Sequence, residues 1–189
     1  MNRQQLITRF TLRALSHTQL SVNHLRLKES AVLMPLIERD NEMVLLLTKR
    51  SPHLRHHPGQ ISFPGGKFDE DDSDLKYTAM RETYEELGIG DSDIELFGEL
   101  PHHDTITGFR IKPYIGFVKS SVDFTVNDGE VSEIIEVPVR EFLSNPQHFI
   151  LPIARPQIKV DVYFKPCQGH AIWGATAAII EQFRLLLED

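Results

Sequence analysis

Residues 65–89, GGKFDEDDSDLKYTAMRETYEELGI, are the most informative segment of the chain for its fold. It begins with a glycine pair, continues through an acidic loop and becomes strongly helical over about residues 75–87. Gly88 stands at the stop position of that helix, and the residues just before the helix are suitable N-caps: Asp72, Ser73 and Asp74. The stretch therefore predicts a tight turn, a loop and a helix in immediate succession.

The predicted helix carries carboxylates at positions i, i+3 and i+4, namely Glu82, Glu85 and Glu86. With about 3.6 residues per turn, they share one edge of the helix, opposite its apolar side. Like charges at this spacing repel by roughly 0.2–0.5 kcal/mol per pair unless a cation lies among them. Carboxylate oxygens suit Mg2+ or Mn2+, which also bind substrate phosphates. Taken alone, such a string is more often a solvated glutamate-rich face, so its surroundings decide between the two interpretations.

Residues 65–89 as a whole closely resemble the Nudix box, conventionally G, five residues, E, seven residues and REUXEEXGU, in which U is apolar. Asp72 replaces the first glutamate, and eight residues rather than seven separate it from Arg81. Thr83 stands where an apolar residue is usual. These departures leave the role of Asp72 open. The resemblance implies a Nudix-type α/β/α sandwich with a mixed central sheet, and an enzyme that hydrolyses the diphosphate linkage of a nucleoside diphosphate derivative.

A second resemblance lies upstream, in LLTKRS at residues 46–51, LR at 54–55, His57 and GQISFPGG at 59–66. These residues resemble the extended signature of the coenzyme A diphosphatase branch of the Nudix superfamily, whose members also carry one extra residue before the box helix. The similarity covers most of residues 31–180, more loosely in three places: Thr107-Gly108, residues 127–138 and residues 172–176. It implies hydrolysis of coenzyme A to adenosine 3',5'-bisphosphate and 4'-phosphopantetheine.

The resemblance also suggests roles for individual residues. We expect the helix glutamates Glu82, Glu85 and Glu86 to be both catalytic and ligands of Mg2+ or Mn2+. We expect Arg81 to orient these carboxylates, since it lies at i, i+4 from Glu85; a plain surface salt bridge is the alternative role. The general base in this superfamily comes either from the box helix or from a remote loop.

Two acidic residues in NDGEVSEIIEVP, residues 127–138, are candidates for a remote general base: Glu130 first and Glu133 second. An ordinary acidic loop is the alternative interpretation. The basic segment KRSPHLRHHPGQ, residues 49–60, is the predicted phosphate-binding region, because arginine holds phosphates with two hydrogen bonds. Within it, Arg55 is the candidate to read the 3'-phosphate of coenzyme A. The predicted substrate-binding residues are Lys49, Arg50, Arg55, His57, Gly65 and Gly66.

The chain has 189 residues, a length that favours one domain. We expect residues 1–30 to be an N-terminal helical extension and residues 31–189 to be the Nudix domain. Hydrophobic patterns and turn residues predict the other elements. These are helices over residues 4–16, 139–143 and 174–187, a hairpin of residues 31–37 and 43–48, and strands over residues 61–63, 94–100, 111–118 and 158–164.

Composition excludes several classes of protein. A net charge of -7 argues against general nucleic-acid binding, which depends on Lys and Arg neutralising phosphates. No segment approaches the roughly 20 apolar residues of a membrane helix. The single cysteine, Cys167, excludes an intrachain disulfide and is expected to be an inert thiol. The sequence therefore predicts a cytoplasmic protein that acts on a small nucleotide, without a membrane or nucleic-acid partner.

Two other functions fit the same residues. A Nudix hydrolase for ADP-ribose or NADH would share the metal-binding helix without needing the signature at residues 46–66. A Nudix-fold sensor would bind a nucleotide without cleaving it, but such proteins usually lose box carboxylates, and all three glutamates are present here.

Overall fold

The computed structural model of the chain describes residues 1–14, 27–144, 149–155 and 158–188. Its helices are α1 (Arg3–Ala14), α2 (Leu75–Leu87), α3 (Val139–Ser144) and α4 (Ala175–Leu187). Its strands are β1 (Lys28–Arg39), β2 (Glu42–Arg50), β3 (Ile61–Ser62), β4 (Gly65–Lys67), β5 (Ile94–Glu99), β6 (His103–Asp104), β7 (Phe109–Val118), β8 (Val131–Pro138), β9 (Phe149–Arg155), β10 (Ile158–Cys167) and β11 (His170–Trp173).

Within these described residues, the larger sheet has eight strands, and its main path runs β3-β2-β1-β7-β5. In addition, β4 pairs with β1, β6 with β7 and β8 with β2. The neighbours β1 and β7 are parallel, whereas the other pairings in this sheet are antiparallel. The predicted mixed sheet is therefore confirmed. A smaller antiparallel sheet consists of β9, β10 and β11.

Strand β1 separates two apolar layers, because successive side chains of a strand point to opposite faces of the sheet. On one face, Ala31 and Leu33 pack against Ala79 of α2. On the other face, Met34 and Leu36 join the main core, which includes side chains from α1 and α4: Leu6, Phe10, Ile179, Ile180 and Phe183. Helices on both faces of a mixed sheet confirm the predicted α/β/α sandwich.

The box helix α2 begins and ends at the residues that the sequence predicts. Asp74 is its N-cap, and the Asp74 carboxylate accepts a hydrogen bond from the Tyr77 N–H at 2.7 Å. Gly88 follows the last helical residue with a φ of 70°, a conformation that glycine adopts without strain, and its N–H donates to the Tyr84 carbonyl. Local capping thus fixes both ends of the helix that carries the three glutamates.

Helix α1 packs onto the sandwich through buried side chains. Leu6 and Phe10 are 0% and 5% exposed, and the Arg9 guanidinium donates to the Leu187 carbonyl at 3.0 Å. The predicted helix over residues 4–16 is confirmed up to Ala14, and residues 15–16 lie outside the described part of the chain. The division into an extension and a domain at residue 30 stays a prediction. No helix among the described residues is long and apolar enough to cross a membrane.

The predicted hairpin and strands are confirmed, but other strands were not predicted. The segment taken as an acidic loop after residue 130 is strand β8, which pairs with β2 and buries Val131, Ile135 and Val137. Its alternation is broken by the apolar pair Ile134-Ile135 and by glutamates, so the sequence pattern is weak. Strands β9 and β11 were not predicted either. The predicted strand over residues 158–164 lies within β10, but the side chains of residues 158–161 are outside the described part of the chain.

Cys167 at the end of β10 is buried and free. Its thiol donates to a Glu141 carboxylate oxygen at 3.2 Å. Burial, together with that carboxylate, raises the pKa of Cys167 to about 12. Because the thiolate is the reactive form of cysteine, this environment supports the expectation of an inert thiol.

Candidate active site

The three carboxylates of α2 differ sharply in exposure. The side chain of Glu85 is 49% exposed, that of Glu82 17% and that of Glu86 2%. Glu86 turns toward β2, where the Thr48 hydroxyl lies 3.5 Å from its Oε2 and an Arg50 Nη1 lies 3.8 Å from its Oε1. The three carboxylates therefore do not share one edge as the spacing predicted, because Glu86 faces the sheet while Glu85 faces solvent.

The buried Asp72 and the partly buried Arg81 form an ion pair with two hydrogen bonds. The Arg81 Nε donates to Asp72 Oδ1 at 2.8 Å, and its Nη2 donates to Oδ2 at 3.0 Å. The same carboxylate accepts from the Thr78 hydroxyl and from the Asp69 N–H. The Arg81 hydrogen bond above all holds the pKa of Asp72 well below its usual range, against the effect of burial. Asp72, whose role the sequence left open, thus anchors Arg81.

The remaining nitrogen of the Arg81 guanidinium reaches the box carboxylates. Nη1 donates to Glu82 Oε1 at 2.9 Å and to Glu85 Oε2 at 3.1 Å. Because Asp72 fixes the guanidinium plane, Nη1 holds both glutamates in defined positions. The contact with Glu85 is the one that the i, i+4 spacing predicts, and it supports the orienting role proposed for Arg81.

The loop just before β8, which is distant in sequence from α2, brings Glu130 to these carboxylates. The Ser51 N–H donates to the Glu130 carbonyl at 2.7 Å, and the Asn127 N–H donates to the Glu86 carbonyl at 3.1 Å. Burial is the main cause of the raised pKa values of Glu82 and Glu86, and the charge of Glu130 raises both further. Glu130 therefore lies close enough to interact electrostatically with both helix glutamates.

Lys49 and Glu133 are not brought to this cluster. They are cross-strand neighbours of β2 and β8, and the Lys49 Nζ lies 3.1 Å from a Glu133 carboxylate oxygen. Lys49 stands between Thr48 and Arg50 in β2, so its side chain points to the face of the sheet opposite Glu86. Glu133, the second candidate for the general base, thus forms an exposed ion pair away from the helix glutamates.

The glycine turn makes room for both a strand and a carboxylate. Gly65 and Gly66 pair with Val32 and Ala31 of β1. A Cβ on Gly65, whose φ is 152°, would overlap the backbone of β1, whereas a Cβ on Gly66 would overlap the carboxyl group of Glu82. The second glycine of the turn is therefore packed directly against a box glutamate.

We expect Gly66→Ala to lower kcat by up to about 100-fold, since a misplacement of about 1 Å in a reacting group has an effect of that size. Its stability should change little, because the Glu82 carboxyl group ends a flexible side chain. Gly65→Ala is the matched control: overlap with backbone should destabilise it by about 1–3 kcal/mol. The kcat and the urea unfolding of both variants test these two expectations. Wild-type kcat in Gly66→Ala would show that the Glu82 position is unimportant.

A cleft of about 250 Å³ opens beside the glycine turn. Of the predicted substrate-binding residues, the structure places four in its walls: Arg50, His57, Gly65 and Gly66. Arg55 is exposed and Lys49 faces the other side of β2, and neither lines the cleft. Lining residues that the sequence analysis did not single out include Gln60, Ser62, Lys67, Thr105, Phe109 and Thr176. The looser resemblance at Thr107-Gly108 and at residues 172–176 was the available signal for the last three.

Comparison with known proteins identifies this arrangement. The family model for the NUDIX domain matches residues 27–158, which contain the box helix, the glycine turn and Glu130. The chain belongs to the Nudix family. The "Uncharacterized Nudix hydrolase NudL" of Pectobacterium atrosepticum is 38% identical over 86% of this chain and 84% of that protein. The protein of the same name from Yersinia enterocolitica is 39% identical over 94% of this chain and 89% of that protein.

Solved structures show the same fold at low sequence identity. A MutT/nudix family protein from Enterococcus faecalis has a TM-score of 0.54 and 14% identity, covering 99% of this chain and 75% of that chain. An Ap4A hydrolase binary complex from C. elegans has a TM-score of 0.52 and 17% identity, covering 62% of this chain and 84% of that chain. These structures show the fold, whereas the family match and the NudL relatives identify the chain as a Nudix hydrolase, a diphosphatase that cleaves the diphosphate linkage of a nucleoside diphosphate derivative.

Nudix hydrolases generally require divalent cations such as Mg2+ or Mn2+, and the donor chemistry here suits them. The site offers carboxylate oxygens, burial raises the pKa of Glu86 to about 8, and Gly66 leaves room for the Glu82 carboxyl group. In their present positions, however, no three His, Cys, Asp or Glu side chains among the described residues form a group that holds a metal ion. Instead, Arg81 binds Glu82 and Glu85, and Arg50 faces Glu86.

Proposed function

We propose that this Nudix hydrolase cleaves coenzyme A at its diphosphate linkage, giving adenosine 3',5'-bisphosphate and 4'-phosphopantetheine. The observation that supports this most is that Arg50, His57 and Gln60, from the signature shared with coenzyme A diphosphatases, line one cleft together with the glycine turn of the Nudix box. Gly66 of that turn packs against Glu82. A substrate in the cleft therefore has its phosphates beside the catalytic carboxylates.

The lining of the cleft combines charged and apolar groups, as coenzyme A does. Arg50, His57 and Lys67 supply cationic and hydrogen-bonding groups for phosphates. Apolar side chains also line the cleft: Val32, Phe63, Phe109, Ile111, Ala175 and Ile179. Coenzyme A joins a phosphorylated adenosine to a long pantetheine arm through the diphosphate, so it presents both anionic and weakly polar surfaces. Lys67 is a cation within the cleft that can contact a phosphate, whereas the predicted Arg55 does not line the cleft.

The proposed chemistry is attack of water on one phosphorus of the diphosphate. Glu82, Glu85 and Glu86 would hold Mg2+ or Mn2+, which neutralises the phosphate charge and activates water when bound. Arg81, anchored by Asp72, fixes the orientation of Glu82 and Glu85. Glu130 is the proposed general base, because it lies close to the helix carboxylates. Arg50 and His57 position the substrate phosphates.

Product analysis in 18O-water tests the function. With Mg2+ or Mn2+, we expect coenzyme A to be cleaved faster than ADP-ribose, NADH or diadenosine polyphosphates, into two phosphomonoesters with the label in just one. Release of orthophosphate would identify a different phosphatase chemistry. Faster cleavage of ADP-ribose or NADH would transfer the proposal to those substrates, and tight nucleotide binding without turnover would indicate a sensor.

A further inference from the structure

Arg50 lies between two parts of the site. Its Nη1 is 3.8 Å from the Oε1 of Glu86, within ion-pair distance, and its side chain also lines the cleft. The Glu86 side chain is 2% exposed and that of Arg50 26% exposed. One guanidinium therefore faces a buried carboxylate on one side and the space for an anionic substrate on the other.

The backbone around Arg50 holds it firmly at this boundary. The Arg50 N–H donates to the Gln60 carbonyl at 2.9 Å, and the Gly59 N–H donates to the Arg50 carbonyl at 3.1 Å. The pairing of β2 with β8 shifts register between Lys49 and Arg50, an irregularity of the kind that redirects a side chain. The backbone of Arg50 is thus held by hydrogen bonds at a point from which its side chain meets both Glu86 and the cleft.

We propose that Arg50 is an internal counter-cation of Glu86, which a divalent metal ion displaces and a substrate phosphate then binds. This inference rests on the proposed function, in which Glu86 is a metal ligand. A metal ion and the guanidinium compete for the same carboxylate, because both are cations and Glu86 is buried. A phosphate in the cleft withdraws Arg50 from Glu86, so each ligand favours the binding of the other, as linkage requires.

The first test measures Mn2+ binding to the full chain without substrate, by titration with detection of free Mn2+ by electron paramagnetic resonance. Removing a charge about 4 Å from a buried carboxylate is a large electrostatic change. We expect Arg50→Met to bind Mn2+ about tenfold more tightly than wild type. Arg50→Lys, which keeps the charge, should stay near wild type. Lys49→Met removes the same charge from the opposite face of β2 and should change the affinity by less than about twofold.

The outcomes separate this inference from the proposed metal site. Equal Mn2+ affinity in wild type and Arg50→Met would overturn the role of Arg50 and leave the metal site standing. If Glu86→Gln left the Mn2+ affinity unchanged in both wild type and Arg50→Met, Glu86 would not bind the metal. That result would overturn the metal site itself and the inference with it. An equal gain in Lys49→Met would show a general effect of net charge and would also contradict the role of Arg50.

A second measurement avoids the metal altogether. In chelator-treated buffer at about pH 9, where the Glu86 carboxyl group is ionised, the probe is adenosine 5'-(α,β-methylene)diphosphate, and binding is followed by calorimetry. We expect Glu86→Gln to bind the probe several-fold more tightly than wild type, because Arg50 is released toward the cleft. The gain should disappear in the Arg50→Met background, as a double-mutant cycle of two coupled residues requires. The same gain in both backgrounds would overturn the proposal.

Discussion

Glu86→Gln is expected to lower kcat by about a thousandfold or more while the protein stays folded. The variant keeps the size of the side chain but removes the most buried carboxylate of the proposed metal site, and a metal ion supplies several kcal/mol of transition-state stabilisation. Steady-state turnover of coenzyme A at saturating Mg2+ or Mn2+ measures the effect. Near-normal turnover under those conditions would contradict the assignment of Glu86.

Unlike kcat, the resistance of Glu86→Gln to urea unfolding should not fall below that of wild type. Burial, opposed by Arg50 and reinforced by Glu82 and Glu130, raises the pKa of Glu86 to about 8 from an ordinary value of 4.5. The ionised carboxylate therefore destabilises the folded state increasingly as pH rises from 4.5 through 8. The glutamine variant lacks this penalty, so in chelator-treated buffer at about pH 9 it should unfold at an equal or higher urea concentration than wild type.

The control for this prediction is the same substitution at an exposed glutamate. Glu95 on β5 is 67% exposed and pairs with Arg3 at the surface. Exposed ion pairs contribute little to stability, so Glu95→Gln should leave both kcat and urea unfolding close to wild type. A large loss of activity in Glu95→Gln would mean that charge removal anywhere on the protein affects the assay.

Sequence predicts the parts of this site that depend on local signals. The box helix is correct at both ends because Asp74 and Gly88 act within one turn of the residues they cap. The contact of Arg81 with Glu85 follows from helical spacing alone. Both features are contained in a single continuous segment, so no knowledge of the remaining chain is needed to expect them.

The burial of Glu86 was not predicted, because all three carboxylates were interpreted as sharing one edge opposite the apolar side. The exposures of Glu85 and Glu86 differ because Thr48 and Arg50 of β2 lie against Glu86. Helical periodicity does carry a signal for this difference. Glu86 lies three residues after the buried Thr83 and seven after the buried Ala79, on the covered face of α2.

The basic segment at residues 49–60 shows a limit of local reasoning. Lys49 and Arg50 are neighbours in the sequence, and both were predicted to bind the substrate. Strand β2 instead continues to Arg50, so alternation sends the two side chains to opposite faces of the sheet. Only the pairing of β2 with β8, which is distant in sequence, determines which of the two cations meets Glu86.

Asp72→Asn is expected to destabilise the protein by about 1–3 kcal/mol, the usual effect of leaving a buried hydrogen-bonding group unsatisfied. Asparagine is nearly the same size, but its NH2 group cannot accept the hydrogen bonds of the Arg81 guanidinium, and the positive charge of Arg81 is left without its buried partner. Urea unfolding at about pH 7 measures the loss. A change below about 1 kcal/mol would show that Arg81 finds sufficient compensation from Glu82 and Glu85.

The pH dependence of that difference tests its cause. Hydrogen bonding to Arg81 holds the pKa of Asp72 well below the ordinary value of 3.8, so the stabilisation by the ionised carboxylate is fully present above 3.8 and is lost as pH falls toward the folded-state pKa. The difference between wild type and Asp72→Asn should therefore be constant from about pH 8 to about pH 5 and shrink below about pH 4. A difference that instead vanished between about pH 8 and about pH 5 would assign the stabilisation to another titrating group, and Asp72 would then be a spacer in the loop rather than the anchor of Arg81.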